Sequence, residues 1–302
     1  MLGALSLIAR PMTSQRLHGA LLILLSSACF GVMPLFGRLA YDAGANTQAI
    51  LLGRFLIAAT GLAALMGWRR TTWPRGRLLL GLLAMGMLGY AGQAFCYFTA
   101  LRYASASLTA LLLYTYPVLV TLIAAFWLNE RLTRRKIVSL LLATLGLGLT
   151  VGDALSGSWQ GVAFGLTAAL IYSIYIAVGS RLTPQAGAVA SAAVVMAGGA
   201  LMFALAAPFS PPIWPSGLSG WLAVAAIGLL CSVVAALTFF AGLSRVGAGE
   251  AAMLSTFEPV VTVALAAALL GERMSPTQWL GGAVIIAAVL LLARAPGPTL
   301  PE

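Results

Sequence analysis

The sequence predicts an all-α membrane protein, with ten transmembrane helices arranged as two inverted five-helix repeats around a central cavity. Three observations predict it. Of the 302 residues, 61% are apolar and 8% charged, against roughly 25% charged in an average soluble domain. The apolar residues gather in runs that reach the length of about 20 residues needed to cross a bilayer. The chain also matches itself at one constant offset of 142 residues, as from Gly19 to Gly161.

Helices are expected at 19–37, 47–67, 78–99, 106–128, 136–152, 160–180, 187–207, 220–243, 249–270 and 278–293. Ten such helices use about 200 residues and leave about 100 for termini and connections, too few for a sizeable soluble domain. The polar stretches 129–136 and 271–278 set off the short fifth and tenth helices. Phe209 to Ser219, rich in Pro, Ser and Gly, separates the seventh from the eighth, with Trp214 and Trp221 as interfacial anchors. The organisation read from this is a cytoplasmic segment 1–18, repeats at 19–152 and 160–293, and a cytoplasmic tail 294–302.

The formal charge of +10 would suggest nucleic-acid binding in a soluble protein. Here the basic residues sit in short connections, where they report orientation. With the N-terminus inside, Arg10, Arg16, Arg69, Arg70, Arg75, Arg77, Arg131, Arg134, Arg135, Lys136, Arg181, Arg245 and Arg294 are cytoplasmic, and Arg38, Arg102 and Arg273 lie opposite. Short basic loops stay in the cytoplasm, which places both termini there. The brief apolar stretch Leu2 to Ala9 lacks a small-residue cleavage site, so no removed signal peptide is expected, and Met12 is a second possible start. Cys29, Cys96 and Cys231 lie within apolar runs and read as small core residues.

The offset aligns Gly37 with Gly179, Gly86 with Gly228, Leu101 with Leu243, Pro117-Val118 with Pro259-Val260, Leu128 with Leu270 and Glu130-Arg131 with Glu272-Arg273. A constant offset over several helices marks a repeat. Five helices per half is an odd number, so the second half enters the membrane from the opposite side. Such a pair has two similar conformations open to opposite compartments, with a site near the midplane between the halves. Pro117 and Pro259 fall in mid-helix, where proline frees the carbonyl four residues earlier, and are read as hinges.

The ten helices, Arg54-Phe55 early in the second, Tyr116-Pro117-Val118 and Glu258-Pro259-Val260, and the paired Glu-Arg at 130 and 272 together resemble the EamA-type transporters of the drug/metabolite transporter superfamily. The resemblance covers about 19–293, and within that family the chain looks most like the bacterial aromatic amino-acid exporters. It implies secondary export of small amphipathic metabolites, aromatic and other amino acids among them, across the bacterial inner membrane by alternating access. One departure is that Tyr116 occupies the position equivalent to Glu258, so the halves are chemically asymmetric.

A charge at the bilayer centre costs about 2.5–3.5 kcal/mol on insertion scales, so Arg54 and Glu258 need partners. They either pair with each other, or Arg54 attracts a solute carboxylate while Glu258 accepts its ammonium or carries a proton. Tyr90, Gln93 and Tyr97 follow Gly86 on one face of the third helix, with Gly89 and Ala94 beside it. Ala251, Ser255, Glu258 and Thr262 align on the ninth; Ser107, Leu111 and Tyr114 on the fourth. Tyr172, Ser173 and Tyr175 of the sixth and Ser26, Ser27 and Phe30 of the first complete aromatic walls with a few hydroxyls, suited to a ring-bearing solute. The expected substrate-binding set is Arg54, Tyr90, Gln93, Tyr97, Tyr114, Tyr172, Tyr175, Ser255 and Glu258.

Gly161 and Gly165 read as helix packing, the Glu-Arg pairs as local caps or a gate latch, and His18 as an interfacial residue. No Walker A sequence, Cys-x-x-Cys pair or Asp-rich motif is present, so no cofactor or metal is expected, and transport is driven by the solute gradient or by protons. The seven acids are scattered, which argues against a metal-dependent membrane enzyme. Expected partners are a small-molecule solute, the lipid bilayer and protons, without nucleic acid. Other solute classes (cationic drugs, sugars, nucleosides) and a channel are the competing readings.

Overall fold

A computed structural model describes the chain except residues 1–13, 105–108, 110, 111, 129, 131, 152–157, 271–274 and 294–302. Every element described is helical. In chain order they are α1 (Ser14–Gly31), α2 (Met33–Asp42), α3 (Thr47–Trp68) and α4 (Gly76–Ala84), then a π-helical segment Met85–Tyr90 that runs into α5 (Ala91–Tyr103). There follow α6 (Tyr116–Trp127), α7 (Arg134–Val151), α8 (Trp159–Ala186), α9 (Ala188–Ala206) and α10 (Gly217–Gly228), with a second π-helical segment Leu229–Val234 that leads into α11 (Ala235–Val246). The last are α12 (Ala248–Leu254), a 3-10 turn Ser255–Phe257, α13 (Glu258–Leu270) and α14 (Pro276–Ala293).

Among the described residues, six helical stretches are long and apolar enough to cross a membrane: Ser14–Asp42, Thr47–Trp68, Gly76–Tyr97, Trp159–Ala186, Ala188–Ala206 and Gly217–Val246. Tyr116–Trp127 and Trp279–Leu292 are shorter apolar helices. Helices appear where the apolar runs are, because a backbone without water must bond to itself. Several run further than their apolar cores: the first reaches Asp42 after a break at Val32, and α8 extends to Ala186. The break in the first helix precedes Pro34, at the opening of α2.

Connections are tight. Gly187 (φ 78°) alone joins α8 to α9 and Gly247 (φ 83°) joins α11 to α12, a left-handed backbone region that glycine enters without steric cost. At the start of α3, the Asn46 side chain accepts from the Ala49 N–H at 2.9 Å, an N-cap of the usual kind.

The packing is reciprocal under the 142-residue offset. α1 packs on α11, and α8, the counterpart of α1, packs on α5, the counterpart of α11. α3 packs on its own counterpart α9, and α7 on its counterpart α14. The first π segment lies on α9 and the second on α3. Glycines set the closeness of these crossings. A side chain at Gly86 would run into the Val195 carbonyl, one at Gly228 would meet Ile57 at 2.7 Å, and one at Gly161 would meet Ala104 at 2.7 Å. Gly165 lies against Leu112 in the same way.

The core includes Phe55, Leu62, Leu82, Ile176, Val195 and Phe240, and the three cysteines are buried and unpaired. Leu80, Phe95, Phe126, Leu141, Leu205 and Leu222 are exposed on the outside of the bundle, a surface suited to lipid rather than water.

Because the atom facing Gly86 is backbone, Gly86→Val should destabilise the protein by roughly 1–3 kcal/mol through overpacking. Its unfolding temperature in detergent should fall. Gly67, which has open space around it, should accept Ala without loss, and equal behaviour of the two variants would contradict the crossing.

Candidate functional site

Arg54 lies seven residues into α3, about 10 Å from the helix start at 1.5 Å per residue, and is 4% exposed. Its Nε donates to the Ser232 hydroxyl at 3.1 Å, Nη2 to the Tyr90 hydroxyl at 2.8 Å and Nη1 to the Met33 sulfur at 3.2 Å. The Phe55 and Tyr90 rings lie 5.1 and 5.4 Å from the guanidinium carbon, within cation–π range. Two of these partners come from the π segments: Tyr90 ends the first and Ser232 is central to the second. A π turn inserts a residue and shifts the bonding pattern by one. Ser232 uses the shift, its hydroxyl donating to the Ile227 carbonyl five residues back at 2.9 Å while it accepts from Arg54.

From Arg54 a chain of aromatic rings crosses the bundle. Phe203 stacks on Phe55 (5.6 Å), Phe55 meets Tyr90 edge-on (5.3 Å), and Tyr90 stacks on Tyr175 (5.4 Å). Tyr175 then stacks on Tyr172 (5.7 Å), Tyr172 meets Tyr116 edge-on (4.8 Å), and Tyr116 adjoins Tyr114 (6.0 Å). These spacings are those of favourable offset and edge-to-face pairs.

At the far end of the chain the two proline helices break at matching places. Pro117 is the second residue of α6 after a turn at Tyr114 and Thr115, and Pro259 is the second residue of α13 after the 3-10 turn. A threonine covers an acceptor at each break: Thr115 donates to the Leu112 carbonyl at 2.7 Å and Thr256 to that of Met253 at 2.6 Å. The breaks bring Glu258 beside Tyr114 and Tyr116 beside Ser255.

The expected residues therefore converge, but in two environments. Arg54, Tyr90, Tyr175 and Ser255 are buried, as are Gln93 and Tyr116. Tyr97, Tyr114, Tyr172 and Glu258 lie deep among the helices and yet keep accessible surface. Arg54 and Glu258 feel each other's charge but are not an ion pair; among the described residues the ion pairs are Arg16–Glu250 and Lys136–Glu130. Ser26, Ser27 and Ser173 are buried and bond to the carbonyls of Ala235, Ile23 and Ala169. Ser107 and Leu111 lie outside the described residues. No cluster of three or more metal-ligating side chains occurs among the described residues.

Comparison with known proteins identifies the family. The EamA-like transporter family matches residues 17–152 and again 159–294. The chain belongs to the EamA-like transporter family. It is 26% identical to the uncharacterized transporter YcbK of Bacillus subtilis, over 87% of this chain and 88% of that one. It is 29% identical to the aromatic amino acid exporter YddG of Ancylobacter novellus, over 80% and 82%. It is 28% identical to the inner membrane transporter YedA of Escherichia coli, over 79% of each. A solved crystal structure superposes with a TM-score of 0.78 at 23% identity, covering 90% of this chain and 95% of its own, which shows the shared fold. The protein is thus a multipass membrane protein of a transporter family.

The two EamA-like repeats are tied to each other at both ends of the bundle. At one end Asn46 bonds through its N–H to the Ile213 carbonyl (3.0 Å) and through Nδ2 to that of Pro211 (2.9 Å), and the Ser216 N–H donates to the Ala43 carbonyl (2.8 Å). At the other end, Glu130 accepts from the Ala248 N–H at 2.9 Å and pairs with Lys136 at 3.3 Å. Nearby, Arg16 grips Glu250 through Nε (3.0 Å) and Nη2 (3.1 Å) and also donates to the Leu292 carbonyl (3.3 Å). Arg131, Glu272 and Arg273 lie outside the described residues.

Nothing in the spacing of residues pointed to Met33 or to the Arg16–Glu250 pair. Ser232 had one available signal, its place four residues after Gly228, the repeat partner of Gly86.

If Arg54 ties the π segments together, Ser232→Ala should cost about 1 kcal/mol, the scale of a hydrogen bond within membranes. Arg54→Met, which strips Tyr90 and Ser232 of their donor together, should cost more. Unfolding temperatures in detergent order the two variants, and an unchanged value for Arg54→Met would refute the tie.

Proposed function

We propose that the protein is a secondary transporter that exports small amphipathic metabolites, aromatic and other amino acids foremost, across the bacterial inner membrane by alternating access. The observation that carries this reading is the partly open group of Tyr97, Tyr114, Tyr172 and Glu258 inside a bundle built from two EamA-like repeats. Reciprocal helix contacts support ten spans related by a two-fold axis in the membrane plane, since a two-fold makes each contact recur with its members exchanged. With the basic residues of the loops held inside, both termini are cytoplasmic.

In this reading the ring of the solute rests against Tyr97, Tyr114 and Tyr172, backed by Tyr90, Gln93, Tyr175 and Ser255. Glu258 meets its ammonium group or passes a proton, and Arg54 holds the wall behind. The relative named as an aromatic amino acid exporter supports the choice of solute. Pro117 and Pro259, each opening a helix just after a break in regular backbone, are the hinges about which the halves rock.

Purified protein in liposomes should show saturable tryptophan efflux and counterflow, whereas non-saturating flux without counterflow would indicate a channel. Where protons drive export, Glu258→Gln should remove its pH dependence; a pH profile unchanged in that variant would exclude Glu258 as proton carrier. Pro117→Ala and Pro259→Ala should slow turnover more than they weaken binding, and equal loss in both would argue against moving hinges.

A further inference from the structure

We propose that the interior site reads the positive charge of its solute and leaves a carboxylate ungripped. Aromatic amines and amino-acid amides are then its preferred solutes, and free amino acids are accepted through their ammonium group. This rests on the transporter reading above and supplies its charge rule.

The inference follows from how the two interior charges are housed. The guanidinium of Arg54 is engaged through Nε, Nη1 and Nη2, is flanked by the Phe55 and Tyr90 rings, and has 4% of its residue's surface accessible. A solute carboxylate would have to displace Tyr90 or Ser232, separating π segments that belong to opposite repeats, or push the Met33 side chain from Nη1 in a wall that leaves 4% of the residue accessible. Three other bases are engaged near the end of the bundle that carries Arg16. Arg16 is held by Glu250, Lys136 by Glu130, and Arg181 by the Trp127 carbonyl and ring.

Glu258 is housed differently. Its carboxyl lies beside Tyr114, it forms no ion pair among the described residues, and the residue keeps accessible surface. A carboxylate has about four acceptor positions, so one phenol leaves most of them for an incoming N–H. Around it stand the rings of Tyr97 and Tyr114, with Tyr172 beyond Tyr116, and aromatic faces attract ammonium ions, more strongly where water is excluded. Among the described residues, then, the acid and the rings favour a cation, while Arg54, the base of the same interior, is closed off.

The test is competition for tryptophan counterflow in liposomes by tryptamine, tryptophan amide and 3-indolepropionate, with thermal stabilisation of the detergent-purified protein by the same compounds read in parallel. Tryptamine and the amide should compete at least about tenfold more effectively than the acid, a difference of about 1.4 kcal/mol. Glu258→Gln should collapse that preference, and Glu258→Asp should keep its order. Indolepropionate matching tryptamine, or tryptophan binding while its amide does not, overturns the charge rule and leaves the transporter reading intact. Stabilisation in the expected order without any counterflow sustains the rule and overturns the transporter reading. Stabilisation by none of the compounds overturns the rule.

Discussion

A guanidinium inside an apolar bundle is stable only when its donors meet acceptors, and Arg54 draws two of its acceptors from opposite repeats: the Tyr90 hydroxyl from one π segment and the Ser232 hydroxyl from the other. That requirement organises the middle of the molecule. It fixes the rotation of both π segments, which in turn fixes where α3 and α9 cross them, and the glycines at 86 and 228 exist at those crossings because no side chain fits there. It also fixes Tyr90, and through Tyr90 the stack that continues to Tyr175 and Tyr172.

The second organising constraint is backbone satisfaction without water. Irregular backbone appears at the two π segments, at the turn before α6 and at the 3-10 turn before α13. Each is covered by a side chain or packed on a neighbouring helix. Thr115, Thr256 and Ser232 each return a hydroxyl to a carbonyl of their own helix. The deviations from ideal helix cluster around the same aromatic interior that holds Glu258, which is where irregular backbone is tolerated in membrane proteins and where it shapes a site.

Much of this was legible in the sequence. Apolar run length located the helices, because a bilayer imposes length directly. The 142-residue offset exposed the repeat, because homologous positions keep glycines and prolines where close crossings and breaks recur. The tyrosines of the third, fourth and sixth helices were readable as one group from their helical spacing. What could not be read was which of them remain open. Tyr90 and Tyr172 look alike in sequence, and only tertiary packing makes one a buried acceptor for Arg54 while the other keeps accessible surface. The π segments were hidden as well, since a one-residue insertion leaves composition and hydropathy unchanged and shows only in which residues meet. Arg16 illustrates the converse: it counts among the loop bases that set orientation, yet it is buried against Glu250.

The Glu130 carboxylate completes the opening turn of α12, a helix of the other repeat, by accepting the Ala248 N–H. Cutting the chain between its repeats would therefore leave α12 with a bare helix start, and Glu130 with Lys136 as its partner but without the amide it caps. The covalent link between the repeats thus keeps a helix cap beside the helix it finishes, so that one repeat supplies a structural part of the other.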